Sequence, residues 1–263
     1  MGVKGFIEFI VAYMKVNIQA AMEYRSSFII RAVGMFLNDA VWIIFWAIIF
    51  LKFQSINGWS FNEILLLFSF ITTGFGFATF FFGNWQKIAD VIINGKLDYY
   101  LTLPKPILAH LLVSRSEISG LGDFAFGVIL ALFVLPHTLY AVGLYILLTI
   151  MSMIILVSVG VAIGSLTFFI GGTGDLQDTI INSVIAISTY PFSIFEGYLR
   201  IILLTAVPIG FLTGIPVEIL QSFNPTLIFY MVIATIAAVI AAITIFKIGL
   251  RRYESGNLIN VQV

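Results

Sequence analysis

The chain has 263 residues, of which 60% are hydrophobic and only 10% are charged, and 26 of them are phenylalanine. Soluble domains are about one quarter charged, so this composition excludes a water-soluble protein and predicts an all-α polytopic membrane protein whose surface largely faces lipid. The 13 basic and 13 acidic residues cancel, which leaves no net field to attract nucleic acid. The absence of cysteine excludes disulfide bonds, thiolate nucleophiles and sulfur-ligated metals, and it fits a bacterial inner membrane.

The first predicted element is an amphipathic helix over residues 4–25. At 100° per residue, its polar side chains fall within an arc of about 100° and its apolar side chains lie largely elsewhere. The polar residues are Lys4, Glu8, Lys15, Gln19 and Glu23. This pattern is typical of a helix in the membrane interface, so we expect residues 1–27 to form an interfacial elbow before the first span.

Five apolar runs are long enough to cross lipid as helices. They cover residues 28–51, 60–82, 117–135, 141–170 and 225–246. Between the last two runs, two apolar segments of about 15 residues would each give a helix of about 24 Å, which is shorter than the hydrocarbon core of about 30 Å. These segments, 180–195 and 201–215, are separated by Glu196 and Arg200.

The positive-inside rule decides whether the two short segments together cross the membrane once or twice. With six spans, eleven of the 13 Lys and Arg residues lie on one side, and only Lys52 and Arg200 lie opposite. A seventh span would move the C-terminal basic cluster outside and remove this bias. We therefore predict six spans with both termini cytoplasmic, with 180–195 as span five and 195–222 as an external re-entrant helical hairpin. Non-helical backbone at this depth in the membrane is tolerated only where protein or water covers it.

The inside loop, residues 83–115, contains a predicted short helix. Asn84 can cap it, and Trp85, Ile88 and Ile92 recur at helical spacing. The Asn-Gly pair that ends at Gly95 supplies a left-handed stop.

A second segment of the same loop covers residues 96–103 and ends at Pro104. It exposes Asp98, Tyr99 and Tyr100 at the membrane surface. This arrangement suits docking to another protein, and an ordinary solvated loop is the alternative.

Two carboxylates stand within apolar runs, Asp39 in span one and Asp123 in span three. A charge at the bilayer centre costs about 2.5–3.5 kcal/mol on insertion scales, so each should face the protein interior or water. They could form a proton relay or a polar patch on a transport path, or a structural contact within the bundle. Glu196 and Arg200 form an i, i+4 pair if their segment is helical, either as part of an external gate or as an interfacial pair that ends span five.

The sequence from Gly172 to Asp175 matches the GxGD motif of intramembrane aspartyl proteases. That chemistry needs two carboxylates that share a proton, and the Tyr-Asp partner motif is missing from the preceding helix. A turn with Asp175 near the start of span five, where negative charge is favoured, is the simpler interpretation.

Three sequence runs together resemble the permease subunits of the type-2 exporter family of ABC transporters, particularly a small group encoded as paired permeases. They are INGKLDYYLTLPKP at 93–106, YPFSIFEGYLRIILLTAVPIGFLTGIP at 190–216 and RRYESGN at 251–257. The resemblance covers essentially the whole chain and implies one transmembrane permease domain over residues 1–263. It also implies a second permease, identical or a sister subunit, and two copies of a separate ABC ATPase.

No GxxxxGK[ST] P-loop occurs in the chain, and such a loop is what holds nucleotide phosphates. We therefore expect no enzymatic site and no cofactor in this chain, with ATP and Mg²⁺ bound by the partner ATPase. By the resemblance, the elbow and residues 84–104 form the ATPase-coupling surface. The residues predicted for coupling are Trp85, Ile88, Ile92, Gly95, Leu97, Asp98, Tyr99 and Pro104.

The resemblance places the transport path and an external gate near the two short apolar segments, 180–195 and 201–215. The residues predicted for them are Asp39, Asp123, Tyr190, Pro191, Glu196 and Arg200. The expected function is the permease subunit of an ATP-driven exporter of an amphipathic or lipid-like substrate in the plasma (inner) membrane of a bacterium. The alternative is an ion- or proton-coupled secondary transporter that uses Asp39 and Asp123.

Overall fold

The computed structural model describes residues 3–171 and 174–254, and every regular element within these ranges is a helix. The α-helices in chain order are α1 (Val3–Glu23), α2 (Arg25–Phe50), α3 (Phe61–Phe81), α4 (Ile88–Ile93), α5 (Leu97–Leu101), α6 (Ile107–Val113), α7 (Ser119–Val134), α8 (Leu139–Ser165), α9 (Thr167–Ile170), α10 (Gly174–Ser188), α11 (Gly197–Thr205), α12 (Gly214–Gln221) and α13 (Pro225–Leu250). Short 3₁₀ turns lie at Gly83–Gln86, Phe192–Ile194 and Ile209–Phe211.

Four of the described helical segments are long and apolar enough to cross a membrane: α2, α3, α13 and the joined α8 and α9. Helices α7 and α10 are shorter, with 16 and 15 residues. The all-helical architecture predicted from composition is therefore confirmed for the described residues. The count of six spans stays a prediction.

The centre of the bundle is formed by α3, α7 and α8. On α3, Ile64, Leu67 and Phe70 are fully buried. Glycines let these helices approach closely, since a Cβ at Gly76 of α3 would meet the backbone of Phe124 on α7. Side chains in such an interior pack at crystal-like density, so α3, α7 and α8 form the rigid frame that positions the shorter elements.

The helix that corresponds to the fifth predicted span lies earlier in the chain than predicted. Helix α10 begins at Gly174 rather than at residue 180, and it ends at Ser188, before Pro191. Proline has no N–H to continue a helix, and the residue before proline avoids the helical region. Asp175 lies in the first turn of α10, as the turn interpretation predicts, whereas the preceding Gly172 and Thr173 lie outside the described residues.

Between α10 and α13, the two short helices α11 and α12 have opposite environments. Tyr198 on α11 is 88% exposed, whereas Val217 and Ile219 on α12 are at most 1% exposed. At the end of α12, the amide of Gln221 donates a hydrogen bond to Glu63 on α3 at 2.6 Å. Helix α12 is thus built into the bundle, and α11 stands on its surface.

Candidate functional site

The loop of residues 83–115 folds into the first 3₁₀ turn followed by α4, α5 and α6. Four of the eight predicted coupling residues are buried: Trp85, Ile88 and Leu97 completely and Ile92 to 7% exposure. These four side chains hold the loop on the bundle and are not accessible to a partner. Tyr99 and Pro104 are exposed, and Gly95 and Asp98 are half-buried.

The buried side chains of the loop fit against two glycines of α8. A Cβ at Gly160 would meet the ring of Trp85, and a Cβ at Gly164 would meet Ile88 and the amide of Gln177. Glycines four residues apart lie on one face of a helix, so α8 presents a flat surface to the loop. We call this surface, formed by Gly160 and Gly164, the glycine socket. The sequence analysis did not predict it, although the four-residue spacing of the two glycines in the predicted span 141–170 could have indicated it.

Gln177 on α10 joins three segments through one buried side chain, which is 1% exposed. Its carbonyl accepts a hydrogen bond from the N–H of Ala89 at 2.8 Å. Its amide nitrogen donates to the carbonyl oxygens of Trp85 at 3.1 Å and Gly160 at 3.2 Å. Since buried polar groups left unpaired are costly, this side chain ties the loop to both α8 and α10.

An ion pair reinforces this junction at its edge. Lys87 Nζ lies 2.9 Å from a carboxylate oxygen of Asp178 and 3.6 Å from one of Asp90. The hydrogen bond to Asp178 raises the pKa of Lys87 above its ordinary value. The pair is partly exposed, so it contributes less to stability than the buried amide does.

The predicted capping role of Asn84 is wrong. Its side chain donates to the carbonyl of Leu111 and to the hydroxyl of Ser114, both at 2.8 Å. The reason is that Asn84 lies in the 3₁₀ turn, a full turn before α4 begins at Ile88, so it is bonded to α6 instead. Gly95 has a φ of +64°, which confirms the predicted left-handed stop after α4.

Helix α1 is attached to the loop by a cluster of rings that we call the His110 cluster, formed by Phe9, Tyr13, Tyr99, Tyr100 and His110. The hydroxyl of Tyr13 and Nε2 of His110 are hydrogen-bonded at 2.5 Å. The rings of Phe9 and Tyr100 each lie 5.1 Å from the imidazole, and that of Tyr99 lies 6.2 Å away.

Burial governs the chemistry of this cluster. His110 is 2% exposed, and its Nδ1 has no described hydrogen-bond partner. Burial and the nearby Lys105 hold the pKa of His110 below its ordinary value, and burial raises the pKa of Tyr13. The imidazole is therefore neutral near pH 7. Sequence reasoning missed this residue because an isolated histidine in an apolar segment carries no pattern.

Three large apolar side chains of the loop remain exposed, and one of them, Tyr99, belongs to the His110 cluster. Ile93, Tyr99 and Leu101 are 37%, 59% and 43% exposed. The C-terminal segment reaches the same loop, where burial and the adjacent Asp98 carboxylate raise the pKa of Tyr253 to about 12. We call Ile93, Tyr99 and Leu101 the loop patch.

The two intramembrane carboxylates lie together. Asp39 on α2 and Asp123 on α7 are 7% and 2% exposed, and their carboxyl groups lie close enough to interact with each other. The Oδ2 atom of each residue has no hydrogen-bond partner in the described structure. Two carboxyl groups that share a buried site favour a state in which one of them is protonated, so the pair can hold one proton inside the bundle.

The predicted pair of Glu196 and Arg200 does not form in the described structure. Glu196 occupies the extended N-cap position of α11, outside the helix, so it does not share a helical face with Arg200. The guanidinium of Arg200 instead lies over the ring of Phe192, 5.5 Å from its centroid. The ring of Tyr190 packs edge-on against Trp46 of α2 at 5.9 Å, and Pro191 is buried.

These features define a multi-pass helical membrane protein whose ordered loop is built onto its bundle. Comparison with family models matches residues 36–256 to the ABC-2 family transporter protein. The chain belongs to this family of membrane transport permeases, and the resemblance deduced from its sequence runs is confirmed. All of α1 precedes the matched region. Comparisons with curated proteins and with solved structures gave no match.

Proposed function

We propose that this chain is the transmembrane permease subunit of an ATP-driven ABC exporter, and that a separate ATPase docks on its cytoplasmic loop. The observation that carries the proposal is the loop patch, three exposed apolar side chains on helices that are themselves fixed to the bundle. Residues 36–256 match the ABC-2 transporter family, which supports the same assignment. In the assembly we propose, two ATPase copies supply ATP and Mg²⁺ chemistry and a second permease, identical or a sister subunit, completes the path.

The distribution of charge supports a cytoplasmic position for the loop. Lys87, Lys96, Lys105 and Arg115 all lie within it, as the positive-inside rule expects. We propose six spans, with α7 and α10 as short ones of about 24 and 22 Å. Helix α1 would lie in the interface, because apolar residues on it remain exposed, among them Val11 at 59% and Val16 at 60%.

The exposed face of α10 supports a transport path beside it. Thr179, Asn182 and Ser183 are exposed on this face, although polar side chains on a membrane helix usually face protein or water. We place the path between this face and the second permease. Its outer end would lie at Tyr190, Pro191, Glu196 and Arg200.

An amphipathic or lipid-like substrate fits the chemistry of the surface. A cavity of about 530 Å³ between α6, α8 and α13 is lined by apolar side chains such as Leu108, Val157 and Phe246, and Lys247 is also among its lining residues. An acyl chain with an anionic head would match this arrangement, because the apolar chain would be buried while the head met the ammonium group.

The test of the proposed function is binding of an ATPase to the loop patch. The chain is co-expressed with a P-loop ATPase whose gene lies beside its own, and the complex is purified in lipid. Leu101→Lys should weaken binding about tenfold or more, as loss of an interface anchor does, and should lower coupled ATP hydrolysis.

The matched control is Leu199→Lys, since Leu199 is similarly exposed on α11, at 50%. This variant should bind the ATPase normally. Equal binding by both variants, or failure of any P-loop ATPase to co-purify with the unaltered chain, would contradict the proposal.

A further inference from the structure

Helix α10 is fixed at both of its ends by buried hydrogen bonds to different parts of the protein. At its beginning, Gln177 binds the backbone of Trp85 and Ala89 in the loop and of Gly160 on α8. Two of these three hydrogen bonds go to the loop, so displacement of the loop acts on this end of the helix.

At the far end, the carbonyl of Ser188 accepts a hydrogen bond from the hydroxyl of Thr213 at 3.0 Å. Ser188 and Thr213 are 1% and 2% exposed, and Thr213 is the N-cap residue of α12. The turn that precedes α12 is itself held to α8, because Ser152 donates to the carbonyl of Phe211 at 3.1 Å. The last turn of α10 is thus bonded directly to the start of α12.

The body of α10 connects these two junctions as one rigid element. Its buried residues are Gln177, Ile181, Val184 and Ser188, at intervals of four, three and four, so they form a single stripe along the helix. The helix is about 22 Å long. Both terminal hydrogen-bonding residues lie on the buried stripe, and the opposite face is free of the bundle.

We infer that α10 acts as a transmission rod, with Gln177 and Thr213 as positioning residues that pass displacement of the loop to α12. This inference rests on the proposed function, in which an ATPase moves the loop. Coupling between distant sites travels through packed elements with discrete arrangements. The path here is explicit: from Ala89 to Gln177, along α10 to Ser188, and through Thr213 to α12.

The inference is tested by labelling of α12 in the permease–ATPase complex in nanodiscs. The chain has no cysteine of its own, so Glu218→Cys, at an exposed position on α12, gives a single site for a maleimide. In this parent, trapping nucleotide on the ATPase should change the labelling rate about fivefold or more, within the usual range of allosteric coupling. Adding Gln177→Leu or Thr213→Val should remove that change while the ATPase still co-purifies.

Two matched controls lie outside α10 and α12. Gln54→Leu makes the same glutamine-to-leucine change at an exposed position between α2 and α3. Thr205→Val removes a hydroxyl that bonds only within α11, to the carbonyl of Ile201. Both controls should keep the full nucleotide-dependent change, and a full change in Gln177→Leu as well would overturn the inference.

Hydrogen exchange of the permease alone separates failure of the rod from failure of the proposed function. Gln177→Leu should speed exchange in residues 209–221 at the far end of α10, whereas Gln54→Leu should not. Faster exchange confined to the loop would overturn the inference even if the ATPase binds. If the ATPase co-purifies but the Glu218→Cys parent shows no response to nucleotide, the inference is overturned while the proposed function stands. If no ATPase co-purifies, the proposed function fails and exchange alone decides the inference. If Gln177→Leu does not fold, Thr213→Val decides both readouts.

Discussion

The carboxyl group of Asp39 on α2 lies close enough to that of Asp123 on α7 to interact with it, inside the helical bundle. The two helices approach closely here, because a Cβ at Gly122 would meet the carbonyl of Ala32. No described ion pair supplies either residue with a basic partner. Two carboxyl groups this close in a buried site favour a state in which they share one proton.

The first prediction concerns the chemistry of this pair. Asp39→Asn should preserve the contact, because an amide N–H can donate to the remaining carboxylate without a shared proton. Asp39→Ala leaves Asp123 without its partner and should destabilise the bundle by about 1–3 kcal/mol. Thermal unfolding of the purified chain in lipid measures both. Transport that is abolished in a well-folded Asp39→Asn variant would favour a secondary transporter and contradict a purely structural role.

The second prediction concerns the glycine socket of α8. Gly160→Ala should displace Trp85 and loosen the loop, because the added Cβ would meet the indole ring, and overpacking of this kind costs about 1–3 kcal/mol. The measurement is proteolysis within residues 83–115 together with the melting temperature.

Gly143→Ala is the matched control on the same helix, since nothing lies within 4 Å of a Cβ built there. It should be neutral or slightly stabilising, because alanine is favoured over glycine in a helix. Equal protection of the loop in both variants would show that the socket does not hold it.

The sequence predicted the apolar helices well because hydropathy reports directly on transfer into lipid. It placed the start of span five wrongly, since polar residues such as Gln177 and Asp178 lower the hydropathy of the first turns of α10. The burial of Trp85 and Ile88 also escaped prediction. Their helical spacing showed an apolar face but not what covers it, and the covering residues lie more than 70 positions away at Gly160 and Gly164.

The third prediction concerns pH and the His110 cluster. The pKa of His110 in the folded chain lies below its ordinary value of 6.5, so the folded state favours the neutral imidazole. The resulting stability is present above pH 6.5 and is lost as the pH falls from there through the lowered pKa. Attachment of α1 should therefore weaken on acidification, measured as faster hydrogen exchange in residues 9–17.

His110→Phe should remove this pH dependence, because the cluster then has no group that titrates in this range. His137→Phe, at an exposed position, should leave it unchanged. An acid response that persists in His110→Phe would assign the effect to another group.

The last prediction concerns the six-span topology, which determines the side of the membrane on which each site lies. Single cysteines are introduced at exposed positions in the cysteine-free chain and labelled in intact cells with an impermeant maleimide. His137→Cys and Tyr198→Cys should react from outside, whereas Thr102→Cys and Glu254→Cys should react only after permeabilisation. The physical reason is that the six-span arrangement keeps eleven of the 13 Lys and Arg residues inside, as insertion favours. External labelling of Glu254→Cys would require either a seventh crossing or no crossing at α10. If α10 does not cross, α12 and the loop patch lie on the same side and the transmission rod has no membrane to span, so this single result bears on both the topology and the coupling path.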